Sequence, residues 1–327
     1  MTLSRRKFVQ LIGGSAAAMS LSQLWLPKIV QAILEKPGNP SVIWLQGQGC
    51  TGCSVSTLNN AYPDIAKVLT EIISLEFNPT IMASAGDLAL KILEEAMTNH
   101  AGKYILVVEG SIPTMADGVY CTLGEKLEKP ITIEQWTKTL GSQAKAILNV
   151  GTCSSFGGIP AGKPNPTGAK PVSEILPGKT MINIPGCPPH PDWIIGTIAH
   201  VLLYGLPELD ENLRPKVFYS KVIHENCERR AYFEEGKYAS DYGEEGCLFQ
   251  LGCKGPVSHC DVSVRGWNNG VNWCARSGSP CIGCTEAEYP DFEGSGLYGL
   301  LDKSSILNIP WQKVDDQKAK KTLIHLS

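Results

Sequence analysis

Ser41-Val42-Ile43-Trp44-Leu45-Gln46-Gly47-Gln48-Gly49-Cys50-Thr51-Gly52-Cys53 places a short apolar run directly against a glycine-rich loop carrying two cysteines. A run this brief and rich in branched residues reads as a buried parallel strand, and glycine beside a cysteine lets the backbone approach a ligand closely. The same grammar recurs at Ile72-Ile73-Ser74-Leu75, Tyr104-Ile105-Leu106-Val107-Val108, Ala146-Ile147-Leu148-Asn149-Val150 and Met181-Ile182-Asn183-Ile184. Between these runs, residues 57–70, 86–98, 133–140 and 191–204 have apolar spacing suited to helices. Alternation of this kind predicts an α/β fold, an open parallel sheet with helices on both faces.

Four of the five strands end in a loop with chemical content. The first leads into Cys50 and Cys53, the third into Glu109-Gly110-Ser111-Ile112-Pro113, the fourth into Gly151-Thr152-Cys153 and the fifth into Pro185-Gly186-Cys187-Pro188-Pro189. Open α/β sheets bind ligands outside the carboxyl ends of their strands, so Cys50, Cys53, Cys153 and Cys187 are expected to converge. A Cys-x-x-Cys alone would also suit zinc or a thiol redox pair, but four thiolates favour a cubane iron–sulfur cluster over zinc or disulfides.

Past Asn212 the alternation dissolves into a stretch rich in Gly, Pro, Asn, Cys and aromatics. It contains seven cysteines, Cys227, Cys247, Cys253, Cys260, Cys274, Cys281 and Cys284, together with His224. Such a segment is expected to be held together by inorganic centres more than by an apolar core. His224-x-x-Cys227 with Cys247 and Cys253 makes a tetrad with one nitrogen ligand; an imidazole removes one negative charge and can present its ring edge at the surface, as a terminal electron port requires. With the four cysteines of the first region, the count suits three clusters and leaves Cys121 over, which reads as a small packing residue. Glu109 reads either as a helix-capping or surface carboxylate or as a group beside the first site, supporting its ligands or facing a partner. Trp193, Trp267 and Trp273 read as packing or interface residues.

The expected divisions are a leader at 1–32, an α/β domain at 33–213, an irregular cysteine-rich domain at 214–300 and a polar tail at 301–327. At 327 residues, 43% apolar and 19% charged, the composition is that of an ordinary globular protein. The first 32 residues hold Arg5, Arg6, Lys7 and Lys28 and no acid, so their removal leaves 25 basic against 32 acidic residues, a net charge of −7. That balance argues against nucleic acid as a partner. Ser4-Arg5-Arg6-Lys7-Phe8, a glycine- and serine-diluted apolar stretch and Val30-Gln31-Ala32 together read as a twin-arginine export signal rather than a membrane anchor. That route carries proteins already folded around their cofactors, which makes disulfides the weaker reading of the cysteines. The periplasm is the expected location, with any membrane attachment made through a partner.

Gly49-Cys50-Thr51-Gly52-Cys53-Ser54, Glu109-Gly110-Ser111-Ile112-Pro113, Gly151-Thr152-Cys153-Ser154, Pro185-Gly186-Cys187-Pro188-Pro189-His190-Pro191-Asp192-Trp193, Leu251-Gly252-Cys253-Lys254-Gly255-Pro256 and Pro280-Cys281-Ile282-Gly283-Cys284 together resemble the small subunit of nickel-iron hydrogenases. The resemblance implies a flavodoxin-like first domain followed by a smaller irregular iron–sulfur domain. It implies a proximal [4Fe-4S] cluster on Cys50, Cys53, Cys153 and Cys187, and a distal one on His224, Cys227, Cys247 and Cys253. Cys260, Cys281 and Cys284 match medial-cluster ligands. Where the commonest family pattern has proline and a three-iron medial cluster, this chain has Cys274, so the expectation is a medial [4Fe-4S] cluster on Cys260, Cys274, Cys281 and Cys284; without Cys274 as a ligand it would be [3Fe-4S]. This pattern resembles the nickel-iron-selenium subgroup and some other branches. Oxygen-tolerant members carry two further cysteines where this chain has Gly52 and Gly158, so an ordinary proximal cubane is expected.

The implied role is an electron-transfer subunit of a hydrogenase, active only with a large subunit that holds the nickel-iron or nickel-iron-selenium centre, and passing electrons to a periplasmic c-type or membrane b-type cytochrome. Two rivals are the iron–sulfur subunit of another exported oxidoreductase, although the compact ferredoxin run of cysteines is absent, and a zinc- or disulfide-stabilised binding protein.

Overall fold

The computed structural model describes residues 39–301 together with Arg6; the expected leader, apart from Arg6, and the tail beyond residue 301 lie outside the described residues. A parallel sheet is built from β1 (Ser41–Gln46), β2 (Ser74–Phe77), β3 (Ile105–Glu109), β4 (Ala146–Val150) and β5 (Met181–Ile184). Its order is β2-β1-β3-β4-β5, the flavodoxin-like doubly wound arrangement. The register runs Val42 opposite Ile105, Ile105 opposite Ala146 and Ile147 opposite Met181. In β3 all five residues are buried, as a strand covered on both faces requires. Each apolar side chain so buried contributes roughly 1.5–3 kcal/mol.

Helices cover both faces. Ile43 and Leu45 enter one core with Leu93 of α2 (Gly86–Asn99) and Ile133, Trp136 and Leu140 of α3 (Ile133–Gln143). Val42 and Trp44 point the other way, toward Leu58 of α1 (Gly52–Leu58) and Ile195 and Ile198 of α5 (Pro191–Tyr204). The start of α3 is set by a capping box, with Thr132 and Gln135 exchanging side-chain and backbone hydrogen bonds. Between them, α4 (Thr152–Phe156) follows β4. Helices at 86–98, 133–140 and 191–204 thus form where the periodicity places them.

The stretch 57–70 differs. It breaks after Leu58 and resumes only at Ile65, continuing as a π-turn over Val68–Ile72. Pro63 has no N–H to give and bars a helical residue before it, while the Asn60 side chain donates to the Pro63 carbonyl at 2.6 Å and holds the turn. The π-turn absorbs Ile72, so β2 begins at Ser74.

By contacts the chain forms two compact units, Met1–Ser220 with Cys284–Ala287, and Lys221–Gly283 with Glu288–Ser327. The division falls after Ser220, and Arg214 belongs to the first unit for a physical reason. Its buried guanidinium pairs with Asp210 at 2.7 Å and Glu286 at 3.0 Å and donates to the Thr285 carbonyl, tying residues 284–287 back to that unit. Among the described residues the second unit is built of turns, 3-10 segments such as Ile223–Asn226 and Leu248–Leu251, and the short helices Arg230–Glu234 and Val262–Arg265. Among the described residues no helix is long and apolar enough to cross a membrane.

Candidate metal centres

The first site forms at the carboxyl ends of the paired neighbours β1 and β3, from which the chain runs on to β2 on one side and β4 on the other. Their loops are laced together: Gly47 N–H donates to the Glu109 carbonyl, and Gln48 and Ser111 exchange backbone hydrogen bonds at 2.8 and 2.9 Å. Glycine is required for that approach, since a Cβ on Gly47 would stand 2.5 Å from the Ser111 carbonyl oxygen. Thr51 turns the chain with a left-handed φ of 63°, and α1 starts within the Cys-x-x-Cys.

Glu109 ends β3 and is buried, not a surface carboxylate. Its oxygens accept from Trp44 Nε1 (2.9 Å), Gln46 Nε2 (3.2 Å), Cys53 N–H (2.9 Å), Ser54 N–H (3.2 Å) and the Ser54 hydroxyl (2.6 Å). It therefore caps the first turn of α1 and fixes the amide of Cys53 at once.

Cys153 and Cys187 come in from neighbouring strand ends, and the four thiols act on one another. Burial pushes the Cys53 thiol well above its usual value, with Glu109, Cys153, Cys50 and Cys187 adding to the rise. Burial, then Cys187, Cys50 and Glu109, push Cys153 up to about 12 against a bond from the Ile159 amide. Four thiolates beside a carboxylate need a positive centre to ionise, and metal ligation deprotonates a thiol outright. Space is reserved around them: a Cβ on Gly151 would lie 2.5 Å from Cys53 Sγ, on Gly52 3.1 Å from Cys50 Sγ, and on Gly158 2.9 Å from Cys153 Sγ. Cys50, Cys53 and Cys153 are thiols, not half-cystines. The donor set fits a multi-iron group.

In the second unit Cys227, Cys247 and Cys253 come together. Burial raises all three thiols, Cys247 to about 12 and Cys253 to about 11, and Cys227 acts on both of the others. Amides of Gly255 (3.4 Å) and Cys281 (3.3 Å) donate to Cys253 Sγ, favouring its thiolate. His224 sits one turn before Cys227. Its imidazole is buried, not at the surface, because Phe233 packs edge-on against it at 4.8 Å and Tyr238 and Phe249 close around Phe233. Burial, with Arg230 adding and Glu234 opposing, lowers its pKa to about 4, leaving the neutral ring that ligates metals.

Cys274 stands near enough to Cys253 to raise its pKa, and burial raises its own. Cys281 and Cys260 are buried; Gly283 N–H donates to Cys281 Sγ at 3.4 Å. Cys284, in the first unit, accepts on its carbonyl a hydrogen bond from the Thr152 hydroxyl, which itself accepts from Gly186 N–H. Cys121 is half-buried against the sheet core, as a packing residue. Trp193 and Trp273 are buried. Two polar residues escape sequence reasoning. Thr152 stands out in the sequence only as a neighbour of Cys153. Lys254, between a cysteine and a glycine, carries the pattern of a surface side chain but is fully buried.

Residues 219–295 match the family model for the C-terminal part of the NiFe/NiFeSe hydrogenase small subunit, and residues 50–201 match "NADH ubiquinone oxidoreductase, 20 Kd subunit". The periplasmic [NiFeSe] hydrogenase small subunit of Desulfomicrobium baculatum is 44% identical over 307 residues, covering 89% of this chain and 97% of that one. The periplasmic [NiFe] hydrogenase small subunit of Solidesulfovibrio fructosivorans is 42% identical, covering 88% and 91%. A solved Dm. baculatum [NiFeSe]-hydrogenase structure superposes with a TM-score of 0.77 at 43% identity, over 81% of this chain and 100% of that chain. A parallel sheet in flavodoxin-like order, thiols gathered at its carboxyl edge and this extent of identity mean that the chain belongs to the small-subunit family of nickel-iron and nickel-iron-selenium hydrogenases, whose members are electron-transfer subunits.

Proposed function

We propose that this chain holds three [4Fe-4S] clusters and relays electrons between the nickel-iron or nickel-iron-selenium centre of a hydrogenase large subunit and a cytochrome. The carrying observation is the gathering of Cys50, Cys53, Cys153 and Cys187 at one edge of the sheet, amid glycines where any Cβ would press on the sulfurs. These four are assigned to the proximal cluster, His224, Cys227, Cys247 and Cys253 to the distal, and Cys260, Cys274, Cys281 and Cys284 to the medial. Such clusters supply one-electron carriers whose potentials follow their charge, hydrogen bonding and exposure.

The chain's own residues do the rest. Cys50 and Cys187 are exposed, which suits a site facing the partner that oxidises dihydrogen. Glu109 positions the Cys53 amide and sulfur, and Gly52 and Gly158 leave an ordinary cubane without the extra thiolates of oxygen-tolerant relatives. Burial of His224 keeps its imidazole neutral, so the distal site carries one fewer negative charge. The pair Arg5-Arg6 exports the folded chain to the periplasm, the location named for the Desulfomicrobium and Solidesulfovibrio relatives.

The test is iron analysis with electron paramagnetic resonance of the oxidised heterodimer. Three cubanes give about twelve irons per chain and no strong three-iron signal. The variant Cys274→Pro is expected to lose one iron and gain that signal at the medial site; a strong three-iron medial signal in the parent protein overturns the Cys274 assignment.

A further inference from the structure

Lys254 is 0% exposed. Its Nζ donates to the carbonyls of Gly252, at 3.3 Å, and Gly299, and lies 5.4 Å from the centre of the Phe292 ring. All of these neighbours accept or attract positive charge, and none carries a full negative one. Burial lowers the pKa of this ammonium, and among the described residues the sulfurs of Cys253 and Cys281 are the charged groups that oppose the fall. An ammonium buried without a counter-charge is among the costliest groups a fold can hold.

The main chain binds Lys254 to the same two cysteines. Lys254 N–H donates to the Cys281 carbonyl at 2.7 Å, Cys281 N–H donates back to Cys253 Sγ at 3.3 Å, and the Ser258 hydroxyl donates to the Lys254 carbonyl at 2.7 Å. In the ligand assignment above, Cys253 belongs to the distal cluster and Cys281 to the medial one. Clusters bound by thiolates are net anions, more so when reduced, and their net charge sets their potential.

We propose that Lys254 is a potential-setting residue shared by the distal and medial clusters: its buried ammonium is their common counter-charge, favouring the reduced state of both. The inference rests on the ligand assignment. It gives the second unit a device for moving two potentials together, so that an electron passes between the two carriers without a large drop.

The experiment is a redox titration of the intact heterodimer, followed by electron paramagnetic resonance of each cluster, for the parent protein, Lys254→Met and Lys254→Arg. In Lys254→Met the reduced-to-oxidised ratio of both clusters at a fixed potential should fall at least tenfold, about 59 mV for a one-electron couple, while Lys254→Arg stays within that margin of the parent. Unchanged potentials, a shift of one cluster only, or equal shifts in both variants overturn the proposal. Should Lys254→Met assemble poorly, iron content decides: a full complement in Lys254→Arg beside a deficit in Lys254→Met supports a counter-charge, and a deficit in both makes the lysine a packing residue and overturns it. A parent protein without distal or medial signals overturns the ligand assignment, and this inference falls with it.

Discussion

Glu109 gathers five donors on two oxygens, two of them backbone amides at the start of α1. Glu109→Ala orphans those buried groups at about 1–3 kcal/mol for each one left unsatisfied. The expected outcome is a lower melting temperature together with loss of iron at the proximal site, seen as a weakened proximal resonance while the distal one persists. His224 makes a second prediction at this scale. Its folded pKa is held at about 4 against an ordinary 6.5, so the unfolded chain takes up the proton first as pH falls. Stability from the neutral ring is complete above 6.5 and drains away down to about 4. The rate of cluster bleaching in the second unit should rise as pH falls, and His224→Cys, which keeps a ligand but removes the imidazole, should remove that component of the pH dependence.

At the scale of elements, β strands deliver ligands and glycines decide how closely the loops approach them. Gly158 has a φ of +54°, and a Cβ there would lie 2.9 Å from Cys153 N, Cα and Sγ. Gly205, after α5, has a φ of +77° with nothing within 4 Å. Both Gly158→Ala and Gly205→Ala incur backbone strain, about 1–3 kcal/mol. Only Gly158→Ala should also alter the proximal resonance, because only there does the new methyl press on a ligand. Equal spectra for the two variants would count against Cys153 as a ligand. The helices show where local pattern suffices: 133–143 carries its own capping box and apolar stripe, whereas 57–70 shows the stripe but is broken by Pro63.

For the molecule as a whole, the two units differ in what holds them. The first has a layered apolar core on a five-stranded sheet; the second is made of short turns around cysteines. Apo chain, prepared by chelation under reducing conditions, should therefore be cut by protease within residues 221–283 while a fragment spanning 39–220 survives, since metal binding is folding free energy for such a segment. Equal resistance of both regions would show that the second unit has an adequate core without iron.

The sequence by itself determined the brief branched runs that became strands, the cysteine-bearing loops that follow them and the family, because buried parallel strands and glycine-flanked cysteines are both local patterns. Cys274 was visible the same way. Only the tertiary structure decided the environments. His224 is hidden by Phe233, Glu109 is buried under five donors, Arg214 ties residues 284–287 to the first unit, and Lys254 lies wholly inside. Burial is set by residues distant in the chain, so no local pattern records it, and burial is what turns a polar side chain into one that sets a charge or a potential.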